Sequence, residues 1–563
     1  MDYSADFETT TDVNDCRVWA WACCPIDDPE DMVYGNSIDT FMELVRERLG
    51  TYYFHNLAFD GEFILNWLFA NDFEFATRKA SRTFKTTISD TGKFYSMEVC
   101  FEKRRGKKSE TATFKDSLKK LPLSVENIAK SFKLPISKLS IDYKAKREVG
   151  HELTEQERDY VRNDVSIVAQ ALSIQFGEGL DRLTIGSDAL KHYKDSIGQK
   201  WNDMFPVLNI EMDAMIRKAY RGGFTYADPR FQADDAHPDR VQGAGQVFDV
   251  NSLYPWAMYF CPLPIGSPVY FHGQYEHHDS HPLYIQYLTC HCKIKSNHIP
   301  MLQIKHSPFY METEYISETE GTVDLALTSV DLELLREQYE VDVLSYNGGY
   351  MFRQSEGMFC AYIDYWMHVK ETSVGGVRQI AKLMLNSLYG KFATNPDVTP
   401  KIPYLKEDGS VGYMTGEKDT RDPVYTPMGC FITAWARTKT IRAAQSVYDR
   451  FMYADTDSIH VLGLEPVDGI EVHPTKLGAW ANETNFDMAK YVRQKTYMEH
   501  VTHKDGKAIT VPYDDVKCAG MPADLKREVT FDNFKRGLKI HGKLIPKHVR
   551  GGIVLVETDF TLT

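Results

Sequence analysis

The sequence predicts a multidomain protein of mixed α/β and α+β class that opens with a self-contained α/β unit. Three observations predict it. The chain has 563 residues, which at roughly 100–200 residues per domain implies several folding units. Its first ~185 residues alternate strand-like and helix-like patterns, the signature of an α/β layer. The composition, 43% hydrophobic, 26% charged and 12% aromatic, is that of globular protein and excludes disordered, collagen-like or disulfide-stapled chains.

The elements follow in order. Tyr3 to Thr9 alternates apolar and polar side chains and predicts a strand. Tyr52-Tyr53-Phe54 predicts a second, ending at His55-Asn56. Thr154 to Phe176 has helical spacing, with Thr154 and Glu157 as a capping box. A domain boundary is expected near 186–205. Val247 to Val250 reads as a strand, followed by a segment rich in breakers, Pro255, Pro262 and Pro264. Residues 266–350 read as irregular, with short strand-like runs. Residues 357–392 read as two helices interrupted near Ser373-Val374-Gly375-Gly376, and Tyr404 to Tyr413 as a hairpin turning at Asp408-Gly409.

The net charge of −14 argues against a polyanion partner, but its distribution does not. Lys103 to Arg147 holds 14 basic and 4 acidic residues, and Lys517 to Arg550 holds 9 and 3. Phosphate contacts are local and screened beyond about 8–10 Å, so two basic segments on an acidic body can hold nucleic acid. The 10 cysteines are irregularly spaced and read as reduced thiols. No apolar run is long enough to span a membrane, and the N-terminus lacks the pattern of a secretory signal.

Carboxylates at strand ends carry the chemistry. Asp6 and Glu8 stand at i, i+2 and share a strand face, where like charges call for a divalent cation. Asp60 follows the second strand, and Tyr160 and Asp164 stand one helical turn apart. Four carboxylates and a phenol suit two-metal phosphodiester hydrolysis, with ions ~3.5–4 Å apart. Tyr160 would orient the water, and Lys138 would stabilise phosphate charge. A second set is Asp249, in Asp249-Val250-Asn251-Ser252-Leu253-Tyr254-Pro255, with Asp455 and Asp457, read as sharing a face. A third is Arg378, Lys382, Asn386 and Tyr389, which lie within about 80° of one another on a helix and suit a triphosphate and a base.

Together these stretches closely resemble the protein-primed family B DNA polymerases of small Bacillus-type phages, the phi-twenty-nine kind. The likeness runs in the family's order from Asp6-Phe7-Glu8-Thr9-Thr10 to Gly551-Gly552-Ile553-Val554-Leu555-Val556. It includes Tyr220-Arg221-Gly222-Gly223, Lys382 through Gly390, Thr433-Ala434-Trp435-Ala436-Arg437, Asp455-Thr456-Asp457-Ser458 and Lys495-Thr496-Tyr497.

The resemblance implies a ribonuclease-H-like 3′–5′ exonuclease domain at 1–185, followed by a right-hand polymerase. The palm would begin at 186–260. A first insertion at 261–357 would contact a priming protein. Fingers would occupy 358–394, and a second insertion at 395–418 would serve strand displacement and processivity. The palm would resume at 419–515 and the thumb would take 516–563. The implied function is replicative, protein-primed, processive, strand-displacing DNA synthesis with proofreading, in the cytoplasm of an infected bacterial host.

By the same resemblance, Asp6, Glu8, Asp60 and Asp164 match the exonuclease metal carboxylates, with Tyr160 and Lys138 assisting. Thr9, Asn56, Phe59, Ser117 and Leu118 match single-strand contacts. Asp249, Val250 and Asp457 match the metal site of synthesis, with Asp455 supporting. Tyr254, Lys370, Arg378, Lys382, Asn386 and Tyr389 match the nucleotide pocket. Lys495, Thr496 and Tyr497 match primer contacts, and Tyr220, Arg221, Gly222 and Gly223 the link between the two centres. The implied cofactor is Mg²⁺, two ions per centre, with Mn²⁺ able to substitute. The implied partners are primer-template DNA, dNTPs and a terminal protein offering a hydroxyl, the polymerase itself being a monomer.

Two rival readings are a nuclease with an inactive second half and a non-catalytic scaffold. Each requires a carboxylate set not to assemble. The residues His272, His277, His278, His281, Cys290, His291, Cys292 and His298 are zinc-ligand types, but their spacing matches no finger or knuckle.

Overall fold

The computed structural model describes residues 1–104, 106–305 and 307–563, so Arg105 of the first basic segment lies outside the described residues. The N-terminal part is built on an eight-stranded sheet. At its centre Asp2–Thr9 pairs antiparallel with Val18–Pro25 and parallel with Thr51–Phe54, which in turn runs parallel to Glu110–Asp116. Parallel neighbours need a crossover, and the helix Ile38–Glu47 supplies one. Val18–Pro25 is buried along its whole length, which is why it reads as an unbroken apolar run.

Below the sheet lies a cluster of rings, with Phe7 at 4.8 Å from both Phe41 and Phe54. Across the other face runs the helix Glu155–Gly177, started by the expected Thr154–Glu157 capping box. It packs Val161, Val165 and Ala169 onto Ala22 and Cys24. The Ser4 hydroxyl donates to the Val165 carbonyl at 3.0 Å, pinning this helix to the strand that carries Asp6 and Glu8.

The second large sheet has seven strands, among them Gly245–Val250, Ser458–Leu462 and Phe451–Asp455. It rests on the helix Thr426–Ser446, which is buried on nearly every side. Arg437 of that helix pairs with Asp331 at 2.7 Å, both buried, and donates to the carbonyls of Arg221 and Gly222. The expected helix pair is Cys360–Thr372 and Gly375–Ser387. The expected hairpin is Lys401–Leu405 with Val411–Thr415, and Gly409 takes φ +79 in its turn.

Two expectations are corrected. The breaker-rich stretch after Val250 contains a helix, Leu253–Phe260. Pro255 is tolerated because it lies in the first turn, where an N–H has no intrahelical acceptor. Among the described residues, 266–350 are irregular only at 272–282 and 295–322. The strands of this stretch belong to a four-stranded antiparallel sheet of Leu263–Phe271, Tyr339–Ser355, Leu283–Ile294 and Val323–Thr328. Register shifts at Ile265/Val269, Gln286/Leu288 and Thr289/Cys290 break the period-two pattern, which hides these strands from a reading of the sequence.

Within this sheet Cys290 and Cys292 are buried with sulfurs 3.5 Å apart. His277 meets Asp279, and His278 and His281 meet Ser280, so the zinc-type side chains do not converge. Elements also run across two expected boundaries. The helix Ile185–Ile197 spans the first, and the strand Lys507–Cys518 crosses residues 515–516 within the seven-stranded sheet.

Candidate active sites

The first centre gathers Asp6 and Glu8 from the central strand, Asp60 from the first turn of the helix Leu57–Ala70, and Asp164 from the helix Glu155–Gly177. Glu8, Asp60 and Asp164 are buried. Lys138 donates to Asp164 Oδ2 and, at 3.4 Å, to the Tyr160 hydroxyl. A second phenol, Tyr143, lies 2.6 Å from Tyr160 Oη.

Burial, and then the charge of Asp164, pushes Asp6 up to about 7. Burial followed by neighbouring carboxylates raises Glu8 and Asp60 as well. Burial raises Asp164 against the pull of Lys138. An all-oxygen set of mutually repelling carboxylates fits a hard divalent cation. Asp164 Oδ1, buried without a hydrogen-bond partner, is an available ligand atom. Among the described residues no three His, Cys, Asp or Glu side chains are already set around one ion position; Lys138 holds the Asp164 side of this centre.

The second centre lies at the ends of three strands of the seven-stranded sheet. Asp249 stands opposite Ser458 on one side and Ala481 on the other. Phe451–Asp455 and Ser458–Leu462 are joined by the turn Thr456-Asp457, with Thr456 at φ +62. A β-branched residue there is strained, and three hydrogen bonds hold it. The Thr456 N–H donates to Phe224 O at 2.6 Å, the Thr440 hydroxyl to Thr456 O at 2.8 Å, and the Val250 N–H to Asp457 O at 2.8 Å.

Asp455 and Asp457 do not share a strand face as expected, because Asp457 lies beyond the strand end. Asp249 and Asp457 interact instead. Burial and then Asp457 push Asp249 up to about 8, and burial raises Asp457. Asp455 turns to Lys495 Nζ and to the Thr225 hydroxyl at 3.2 Å. Asp249 and Asp457 offer oxygen donors alone, the chemistry a hard divalent cation takes.

Beside this centre Tyr254 and Tyr389 stack. Lys370, Arg378 and Lys382 line a cavity of about 410 Å³ with Lys130 and Lys133. Burial, then the charges of Arg378 and Lys382, draws Lys370 below its usual value. A cavity lined by five cations suits a polyphosphate. Asn386 is exposed on the same helix.

The sequence matches the family described as DNA polymerase type B, organellar and viral, over residues 42–471. It is 49% identical to the DNA polymerase of Bacillus phage phi29, covering 100% of this chain and 98% of that one. It is 31% identical to the DNA polymerase of Streptococcus phage Cp-1, covering 100% and 98%. The fold superposes on phi29 DNA polymerase complexed with primer-template DNA and incoming nucleotides at a TM-score of 0.95, with 48% identity and full coverage of both chains. The chain belongs to the type B DNA polymerases of the phi29 kind. It is a protein-primed, strand-displacing, DNA-directed DNA polymerase with 3′–5′ exonuclease activity, as that family is.

Other residues of the polymerase fall as follows. Asn56 caps the Leu57–Ala70 helix in a left-handed conformation, exposed, with Phe59 half-buried beside it and Thr9 half-buried at the strand end. Ser117 is fully buried, its hydroxyl 3.0 Å from both the Phe54 carbonyl and His55 Nδ1. Its side chain therefore supports the cleft from behind, while Leu118 is half-buried. Thr496 is likewise fully buried, between an exposed Lys495 at φ +57 and a half-buried Tyr497 whose ring lies 4.8 Å from Tyr453. Tyr220 and Arg221 are half-buried, with Arg221 donating to Ala326 O at 2.7 Å. Gly222 is exposed, and Gly223 lies against Thr456.

Two residues escape a reading of the sequence. Asp116 Oδ1 accepts the N–H groups of Asn56 at 3.1 Å and Leu118 at 2.9 Å, joining the segments that carry them. Its only local signal is the cap of a short 3-10 turn. Glu483 adds a third negative charge acting on both Asp249 and Asp457, and no motif marks it.

Proposed function

We propose that the two carboxylate centres are the exonuclease and polymerase sites respectively, within the right-hand arrangement of domains that the resemblance implies. The observation that carries this is the gathering of buried and half-buried, mutually repelling carboxylates on and beside strands of two separate sheets. Relatives whose structures hold primer-template DNA and nucleotides support the same substrates here. Divalent cations, Mg²⁺ or Mn²⁺, would be held by Asp249, Val250 O and Asp457 in one centre and by Asp6, Glu8, Asp60 and Asp164 in the other, and would lower the pKa of the attacking oxygen and neutralise phosphate charge.

The remaining work falls to the chain's own groups. Lys370, Arg378 and Lys382 bind the triphosphate as the primer 3′-oxygen attacks the α-phosphorus in line and pyrophosphate leaves. Tyr389 supports the base, and Tyr254 excludes a 2′-hydroxyl by its bulk. Lys495 and Tyr497 hold the primer end. In the exonuclease, Tyr160 orients water and Lys138 offsets phosphate charge. The first insertion, 261–357, meets the terminal protein, and the enzyme works as a monomer in the infected cell. Among the described residues no helix is long and apolar enough to cross a membrane.

Primer extension on a singly primed circular template tests this. Wild type should make products longer than the circle. Asp457→Ala should extend nothing but still trim the primer. Asp6→Ala/Glu8→Ala should extend without trimming. A wild type that only shortens the primer would overturn the polymerase assignment.

A further inference from the structure

Glu62 lies two residues beyond Asp60 on the helix Leu57–Ala70. At 100° per residue the two point about 160° apart, so Glu62 faces away from the carboxylate centre. Its side chain is only 4% exposed, yet both oxygens are engaged by distant parts of the chain. The Tyr413 hydroxyl, from the hairpin strand Val411–Thr415, donates to Oε1. His548 Nδ1, from Lys539–Val549, the first strand of the C-terminal hairpin, meets Oε2 at 3.2 Å. The Tyr413 and His548 rings pack edge-on at 5.9 Å.

One helical turn further on, Asn66 Oδ1 accepts the Gly551 N–H at 3.1 Å. Here the C-terminal turn lies flat on the helix. A Cβ on Gly551 would stand 2.1 Å from Cys16 O, and one on Gly552 would stand 2.5 Å from the Phe63 ring. Glu62, Tyr413 and His548 also line, together with Asn56 and Phe59, a single cavity of about 360 Å³.

We infer that Glu62 is a positioning residue, fastening the second insertion and the C-terminal hairpin to the exonuclease domain so as to set the width of the cleft that admits the single-stranded primer end. This rests on the exonuclease reading above. A buried carboxylate is tolerated only while its oxygens are satisfied, so the joint favours the closed arrangement, with Tyr413 and His548 held around one cavity with Asn56 and Phe59. Glu62 touches no reacting atom, and its effect is on capture of the strand.

The test is steady-state 3′–5′ digestion of a single-stranded oligonucleotide by the full chain with Mg²⁺. Glu62→Ala should raise KM about tenfold, the scale of losing hydrogen bonds to a charged group, with kcat within about twofold. Glu62→Gln, whose amide can accept from Tyr413 and donate to His548, should restore KM. Tyr413→Phe, which keeps the ring and so the packing, should raise KM about threefold and add nothing on top of Glu62→Ala. An unchanged KM in Glu62→Ala, a Gln variant as impaired as the Ala variant, or additive effects would each overturn the inference. Should Glu62→Ala fail to fold, an unchanged KM in Tyr413→Phe would overturn it alone. Asp6→Ala/Glu8→Ala separates the two readings: if that variant still digests, the exonuclease assignment is wrong. If it is inactive while Glu62→Ala behaves as wild type, only the joint is.

Discussion

Tyr254 and Tyr389 lie ring on ring, with centroids 3.7 Å apart and planes 14° apart. One comes from the short helix that follows Asp249; the other opens a separate short helix, Tyr389–Phe392, because the helix Gly375–Ser387 that carries Arg378, Lys382 and Asn386 ends before Tyr389, contrary to the single helix the spacing predicts. The stack therefore ties the strand of Asp249 to the segment that follows the cationic helix. Replacing Tyr254 by Val would remove the bulk proposed above to exclude a 2′-hydroxyl. The expected outcome is a fall of about tenfold or more in the preference for dNTP over rNTP, measured as the ratio of kcat/KM, the scale expected from one side chain's worth of steric selection.

Gly223 is fixed by what stands against it. A Cβ there would lie 2.7 Å from both Cγ2 and Oγ1 of Thr456, the strained residue of the Thr456-Asp457 turn. Gly223→Ala should displace that turn and lower primer extension at least tenfold. Digestion of single strands, which uses the other sheet, should stay within about twofold. Equal losses in both assays would instead mean a general folding defect.

His55 is half-buried, its Nε2–H donating to Leu123 O at 2.7 Å and its Nδ1 facing Ser117. Burial lowers its pKa below the usual 6.5. The unfolded chain therefore takes up a proton near pH ~6.5 that the folded chain refuses, so His55's contribution is complete above about 6.5 and is lost as pH falls below it. Between about pH 7.5 and 5.5 the melting temperature of wild type should fall more than that of His55→Gln. Parallel curves for the two proteins would exclude this role.

Repelling carboxylates also make the fold responsive to divalent ions. Chelation should stop both activities, and Mg²⁺ or Mn²⁺ should restore them. Because an ion that binds only the folded state stabilises it, Mg²⁺ should raise the melting temperature of wild type. The rise should be smaller in Asp6→Ala/Glu8→Ala, a comparison independent of catalysis.

Local features are legible in the residues alone. Asp6 and Glu8 share a face because a strand repeats every two residues. Thr154 and Glu157 close a capping box within one turn, and Asp408-Gly409 turns a hairpin whose φ only glycine takes easily. Pro255 misled because its effect depends on position within a helix, and the bulged strands of 263–355 misled because bulges erase periodicity.

Contacts between distant parts of the chain set the rest. Asp116 joins Asn56 across 60 residues, Asp249 is opposed by Glu483, and Glu62 meets Tyr413 and His548 across 351 and 486 residues. Spacing along the chain carries no record of such meetings, because they are set by which faces of separate sheets and helices pack together.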